Sequence, residues 1–302
     1  MVRHAVTVPA PATVAPATQA GEGYWQIAWR RLRRHRLAMG GLLIIVLLVA
    51  VAVFAPWIAP YKFEQIDLFN RFGTPFAPRH LLGTDDLGHD VLTRLLFAGR
   101  VSLLVGFAAA LSAIALGTLV GVVAGFYAGP VDNVLMRLTD VVLTLPVFGV
   151  LLLLGRYFGG GIVPIVAIIG LFGWTTAARL VRGEILRLRT QDFTDAARAL
   201  GANETRIIFR HLLPNALAPI IVAATLDVGG AILIEAALSY FGVGIQPPTP
   251  SWGGMVQEGR EYLDSAWWIS TCPGIVLMVT SIVVSRTGDW LRDVLDPTLR
   301  GE

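Results

Sequence analysis

The chain has 302 residues, of which 55% are hydrophobic and only 15% charged, with a formal net charge of +3. Soluble domains are about a quarter charged, and here the charges gather in short stretches between long apolar blocks, a distribution that suits a bilayer better than a water-facing skin. No interleaved aromatic and basic stripe supports nucleic-acid binding, and Cys272, the single cysteine, excludes an intrachain disulfide framework or a multi-cysteine metal site.

Residues 1–28 read as a disordered tail, because positions 5–20 are rich in Pro, Ala and Thr and have no apolar period. The remainder, 29–302, reads as one transmembrane domain. It starts with the basic segment Trp29 to Arg36, followed by an apolar run from Leu37 to Ala59. A basic segment ahead of an apolar run is also the plan of a signal peptide, with Ala50-Val51-Ala52 as a cleavage site. Continuation through Val53, Phe54, Trp57 and Ile58 gives about 20 residues, enough to span, and favours a retained anchor.

Further apolar spans lie at roughly 100–128, 134–155, 162–181, 216–242 and 269–288, which makes about six crossings and an all-α polytopic fold. Gly106, Gly117, Gly121, Gly125, Gly170, Gly229 and Gly230 fall inside them, where small residues let helix backbones approach closely. With six spans, one side carries the Arg30 to Arg36 cluster, Arg182, Arg187, Arg189, Arg198, Arg206, Arg210, Arg292 and Arg300. The other side has mixed signs, including Lys62, Glu64, Asp67, Asp85, Asp86, Glu258 and Glu261, with Arg94 and Arg100 as exceptions. The positive-inside rule makes the first side, and both termini, cytoplasmic. Trp267 and Trp268, ahead of the last span, read as interfacial anchors.

In the outer segment, His80, His89, Asp85, Asp86 and Asp90 invite a metal reading. Their spacing lacks a tight His pair, and Thr84 or Asp85 as a helix N-cap accounts for the acids without one, so no metal site is expected.

The segment from about 184 to 215 is a long loop on the basic side and reads as two short helices with a sharp joint. Asp192 is a plausible N-cap, with Asp195 three residues on approximating a capping box. Phe193, Ala196, Ala197 and Leu200 recur at helical spacing. Gly201 suits a left-handed helix end, Asn203 caps a second helix bearing Ile207, Ile208 and Leu212, and Pro214 stops or kinks it. The apolar face needs a cover, which is either the chain's own spans or another protein. Asp227 and Glu235 lie in the fifth span, where a carboxylate should face the bundle or water. They read either as lining a translocation path or as buried, paired structural groups.

The run Asp195-Ala196-Ala197, three residues, Gly201, nine residues, then His211-Leu212-Leu213-Pro214 resembles the EAA loop of ABC importer permeases. In that family the run is Glu-Ala-Ala, three residues, Gly and a later Leu-Pro; Asp195 keeps the sign of the first position with a shorter reach. His80-Leu81-Leu82-Gly83-Thr84-Asp85-Asp86-Leu87-Gly88-His89-Asp90-Val91-Leu92-Thr93-Arg94 and Glu235-Ala236-Ala237-Leu238-Ser239-Tyr240-Phe241-Gly242-Val243-Gly244-Ile245-Gln246-Pro247-Pro248-Thr249-Pro250-Ser251-Trp252-Gly253 resemble stretches of dipeptide, oligopeptide and nickel permeases. The matches run to Asp296-Pro297. The resemblance implies a permease subunit of a bacterial inner-membrane importer for di- or oligopeptides, with nickel or another small solute as the alternative.

It also implies partners: a second homologous permease, two cytoplasmic ATP-binding subunits that carry ATP and Mg, and an extracytoplasmic substrate-binding protein. The coupling contacts implied are Asp195, Ala196, Ala197, Leu200, Gly201, Ile207, Ile208, His211, Leu213 and Pro214. No cofactor is expected on the chain itself. It has no phosphate loop ending in Lys-Ser or Lys-Thr, no His-Glu-x-x-His and no Gly-x-Ser-x-Gly, so no catalytic residue is expected. A membrane enzyme using Asp227 with Glu235 is disfavoured, since eight residues of helix put them about two turns apart. A self-contained channel or secondary transporter is the remaining rival; it would move solute without an ATPase.

Overall fold

A computed structural model describes Arg30 and residues 36–295 of the chain. The proposed tail, most of the basic cluster, Asp296-Pro297 and Arg300 lie outside the described residues. Helix α1, Arg36–Ile58, is unbroken, with Pro56 near its end. The apolar run therefore passes through Ala50-Val51-Ala52 without interruption. α1 lies against the last helix, and at Gly41 any side chain would meet Thr287 Oγ1 and the Trp290 ring.

Helix α2, Val91–Tyr127, has 37 residues, about 55 Å at 1.5 Å per residue, so its ends project past a core about 30 Å thick. Its N-cap is Asp90, whose carboxylate accepts from Thr93 N at 2.8 Å. Neither Thr84 nor Asp85 does this work, which corrects the sequence reading. Asp85 instead accepts from Leu87 N and His89 N at 2.9 and 2.7 Å, closing the turn before the helix.

The span expected at 134–155 is two helices, α3 (Gly129–Thr144) and α4 (Val147–Phe158), bent by 82° at the break. The cause is Pro146. A residue preceding proline is pushed out of the helical region, and Leu145 is extended at φ −71°, ψ 143°.

Helix α5, Ile162–Arg189, packs lengthwise on α2. Gly117, Gly121 and Gly125, spaced four apart on α2, face Trp174, Ala177, Ala178, Val181, Arg182 and Ile185 at backbone-contact range. α6 spans Asp192–Ala199. α7, Glu204–Tyr240, is a second helix of 37 residues. α8 is a short helix, Trp252–Gly259, folded back between α2, α7 and α9, and α9 is Trp268–Leu295. Five of these helices are long and apolar enough to cross a membrane, or six with the bent pair as one span. The fold is all-helical: the described residues form no strand, only isolated bridges.

The core beneath α2, α5, α7 and α8 includes Val105, Ile165, Ile232, Leu238, Trp252 and Met255. Trp268 is part of it, 4% exposed, with its indole N–H donating to Thr84 O at 3.1 Å. Of Trp267 and Trp268, the former, 53% exposed, is the one that stands where an interfacial anchor would.

Candidate functional site

The two-helix loop is built by local backbone chemistry. Asp192 is the first helical residue rather than the cap, Gln191 occupies the cap position without a side-chain bond, and Asp195 pairs forward with Arg198 at 2.8 Å. The expected capping box is therefore absent. Both acids still lie in the first turn, where the helix dipole favours negative charge. Thr194 takes over the tethering: its hydroxyl donates to Leu188 O at 2.9 Å and is buried, tying α6 to the end of α5.

The joint closes as a Schellman turn. Ala202 N–H donates to Ala197 O at 3.0 Å and Gly201 N–H to Arg198 O at 2.9 Å, with Gly201 at φ +78°, where a Cβ is strained. Asn203 Oδ1 then accepts from Arg206 N at 2.9 Å and starts α7.

The loop's apolar side chains are divided between two environments. Ala197, Ile207 and Leu212 are buried with Val181, Ile185 and Leu188 of α5. Leu200 is 89% exposed and Phe209 66%, with Phe193 also exposed. Of the other loop residues singled out, Asp195, Ala196, Gly201 and Pro214 are exposed, and Ile208, His211 and Leu213 are half-buried. Phe209 was not found from the sequence. Its signal was its place two residues after buried Ile207, on the opposite side of the helix.

Pro214 does not end the helix. A π turn at Ile208–Leu212, closed by Leu213 N–H donating to Ile208 O, immediately precedes it. Proline lacks an N–H and crowds the carbonyl four residues back; the wider turn shifts that carbonyl register, and the helix runs on. The loop's second helix and the fifth span are thus one element, α7.

Asp227 and Glu235 both lie on α7 but in different settings. Asp227 is half-buried and no hydrogen bond or ion pair engages it among the described residues. The space beside it is open: Gly230, a turn further on, has nothing within 4 Å of where a side chain would start. Glu235 is 0% exposed and its Oε1 accepts from Ser239 Oγ at 2.7 Å.

The outer His and acid residues are paired among themselves. His80 Nδ1 lies 3.0 Å from Asp90 and His89 Nδ1 2.8 Å from Asp85. Arg94 bridges Asp85 at 2.6 Å and Glu258 at 2.7 Å, joining the outer segment to α2 and α8. Among the described residues no group of His, Cys, Asp and Glu is arranged to hold a metal ion.

What the described residues form is a bundle of membrane-spanning helices with a helical hairpin exposed beside it, an arrangement that suits a membrane transport subunit. Residues 117–301 match the family described as "Binding-protein-dependent transport system inner membrane component", and the chain belongs to that family. Residues 23–78 match the "N-terminal TM domain of oligopeptide transport permease C".

Among curated relatives, the chain is 38% identical over 279 residues to the di/tripeptide transport system permease protein of Pseudomonas aeruginosa, covering 90% of this chain and 91% of that one. It is 38% identical over 276 residues to the oligopeptide transport system permease protein of Bacillus subtilis, covering 91% and 90%. It is also 38% identical over 279 residues to the glutathione transport system permease protein of Escherichia coli (strain 536), covering 92% and 91%. The fold is similar to a chain of the inward-facing MetNI methionine ABC transporter, with a TM-score of 0.54 and 19% identity over 68% of this chain and 96% of that chain. The chain is a transport permease rather than an enzyme.

Proposed function

We propose that the chain forms half of the translocation path of an ABC importer for di- and oligopeptides and takes its power from an ATPase subunit docked on the α6–α7 hairpin. The observation that carries this reading is Leu200, 89% exposed at the tip of a hairpin whose joint is closed by backbone hydrogen bonds. Burying a leucine is worth about 1.5–3 kcal/mol, and a side chain this well presented, with Phe209 and Phe193 also exposed on the hairpin, fits an apolar cleft on a partner.

The Arg-rich ends, including Arg182, Arg187, Arg189, Arg198, Arg206 and Arg210, support a cytoplasmic hairpin and, with it, cytoplasmic termini. ATP and Mg belong to the partner. Closure of two ATPase subunits would draw two hairpins together, and α7, continuous from Glu204 to Tyr240, would carry the motion to the outer mouth. Because coupling is reciprocal, a loaded binding protein outside must favour the ATP-closed state inside.

Asp227 supports the position of the path. A carboxylate facing lipid costs about 2.5–3.5 kcal/mol, so an unpaired one beside open space belongs to a water-lined route shared with a second permease. Peptide substrates are supported by the relatives named for dipeptides, oligopeptides and glutathione.

The test is site-specific cross-linking of Leu200→Cys, in a Cys272→Ala background, to the co-expressed ATPase subunit. Formation of the adduct with retained assembly is expected. An ATPase that assembles and couples equally well with Leu200→Asp would refute the docking.

A further inference from the structure

Three serines converge on Glu235 from three parts of the chain. Ser239 belongs to α7, Ser102 to α2, and Ser251 is the N-cap of α8. All four residues are buried, at 0% exposure for Glu235 and Ser102, 3% for Ser239 and 1% for Ser251.

Each serine oxygen already accepts a backbone N–H. Ile245 N–H donates to Ser239 Oγ at 3.0 Å, Trp252 N–H to Ser102 Oγ at 3.2 Å and Gly254 N–H to Ser251 Oγ at 3.1 Å. Each hydroxyl therefore has its own proton left to donate, and a buried donor without an acceptor is costly. Ser239 gives its proton to Glu235 Oε1 at 2.7 Å. Ser102 and Ser251 lie beside the same carboxyl group, whose buried Oε2 has no hydrogen-bond partner among the described residues. Glu235 thus accepts directly from Ser239, which holds Ile245 N–H in the turn after α7, while Ser102 and Ser251 beside it fix two N–H groups at the start of α8.

We propose that Glu235 is a positioning residue that clamps the outer helix α8 and its leading turn to α7, so that movement of α7 driven from the hairpin reaches the outer mouth. This rests on the proposed coupling. Other ties hold α8 at its far side: Trp252 Nε1 donates to Leu95 O, and Glu258 pairs with Arg94. Those ties bind α8 to α2, as does Ser102. Of the four polar groups, Glu235 and Ser239 are the ones on the helix that runs to the hairpin. Losing them leaves α8 attached to the bundle but released from the moving rod. The backbones are close at this junction, since a side chain on Gly253 would collide with Ala236; the clamp sets relative orientation in a contact that is otherwise apolar.

The experiment uses the full complex in proteoliposomes, with both permeases, the ATPase subunits and the binding protein. It compares Glu235→Ala, Glu235→Gln, Glu235→Asp and Ser251→Ala, alone and with Glu235→Ala. Uptake of labelled dialanine, trialanine and glutathione and ATP hydrolysis are measured together. Glu235→Ala is expected to lower peptide imported per ATP by roughly tenfold, the scale of one lost buried hydrogen bond, with ATP hydrolysis retained. Glu235→Asp should restore part of the ratio. Ser251→Ala should lower the ratio in the parent chain and have no effect in Glu235→Ala, the mark of a shared network.

Glu235→Gln and Ser251→Ala keep most of the packing and decide the matter if Glu235→Ala fails to assemble. Parental peptide per ATP in those two variants would overturn the clamp. Equal losses of hydrolysis and import would overturn it as well, because that is a plain structural defect. A parent complex that hydrolyses ATP yet imports none of the three peptides would count against the peptide reading; the clamp would then be overturned if Glu235→Gln left the binding protein's stimulation of hydrolysis at the parental level.

Discussion

Gly121 is placed to test the packing of α2 on α5, the seam on which the bundle rests. A Cβ there would lie 2.6 Å from Ala178 O, 2.7 Å from Val181 Cβ and 3.0 Å from Arg182 N. Two of those three atoms are backbone and cannot rotate aside. Carbon contacts are comfortable at about 3.5–4.0 Å, so even a methyl group must push the helices apart by roughly an ångström. Gly121→Ala gains about 1 kcal/mol of helix propensity against about 1–3 kcal/mol of overpacking, a net loss of about 0–2 kcal/mol. Gly121→Val adds bulk and a stiff χ1 and should lose about 2–4 kcal/mol. Gly230 provides the contrast, with nothing within 4 Å; Gly230→Ala should be neutral or gain up to about 1 kcal/mol. The assay is SDS-titrated unfolding of the purified subunit in mixed micelles, followed by circular dichroism. Parental stability in Gly121→Val, or an equal loss in Gly230→Ala, would refute the close-approach argument.

Asp227→Asn should fold and assemble as the parent does while importing peptide more slowly per folded molecule; unchanged uptake removes Asp227 from the path. Gly201→Val puts a β-branched residue at φ +78°, where nothing lies within 4 Å to clash, so its cost is the left-handed backbone penalty of about 1–2 kcal/mol. It should distort the Schellman joint and lower transport per ATP in an assembled complex, and full-rate pumping would contradict the hairpin's role. Arg94→Met leaves Asp85, 2% exposed at its side chain, without its arginine partner. Stripping one member from a buried charge cluster costs about 3–5 kcal/mol, read as a fall in thermal stability of the subunit; an unchanged melting temperature would mean that the cluster carries no net stability.

Much of the fold was legible because a bilayer simplifies the sequence code. The run from Leu37 to Ala59 and the glycines at Gly117, Gly121 and Gly125 announce a span and a close helix contact by composition alone. The joint of the hairpin was legible for a local reason: Gly201 and Asn203 act within a few residues of themselves, and their bonds are those the backbone needs there. The misreadings came where a short polar side chain had several possible partners. Asp192, Asp195, Thr84 and Asp85 were all plausible caps, but Asp195 found Arg198, and Asp85 was taken by a turn and by Arg94. Pro146 and Pro214 carry the same residue-level signal with opposite outcomes. The first breaks a span by 82°, while a π turn carries the helix past the second. The three serines around Glu235 come from positions 102, 239 and 251, and no sequence period links them.

Under the proposed function, this chain moves peptide only when a separate motor grips its hairpin. The decisive measurement is uptake of a labelled peptide into proteoliposomes containing the permease pair, with and without the ATPase subunits, ATP and loaded binding protein. Concentrative uptake only when all are present is the predicted result. Passage of peptide through the permeases alone at the same rate would contradict it.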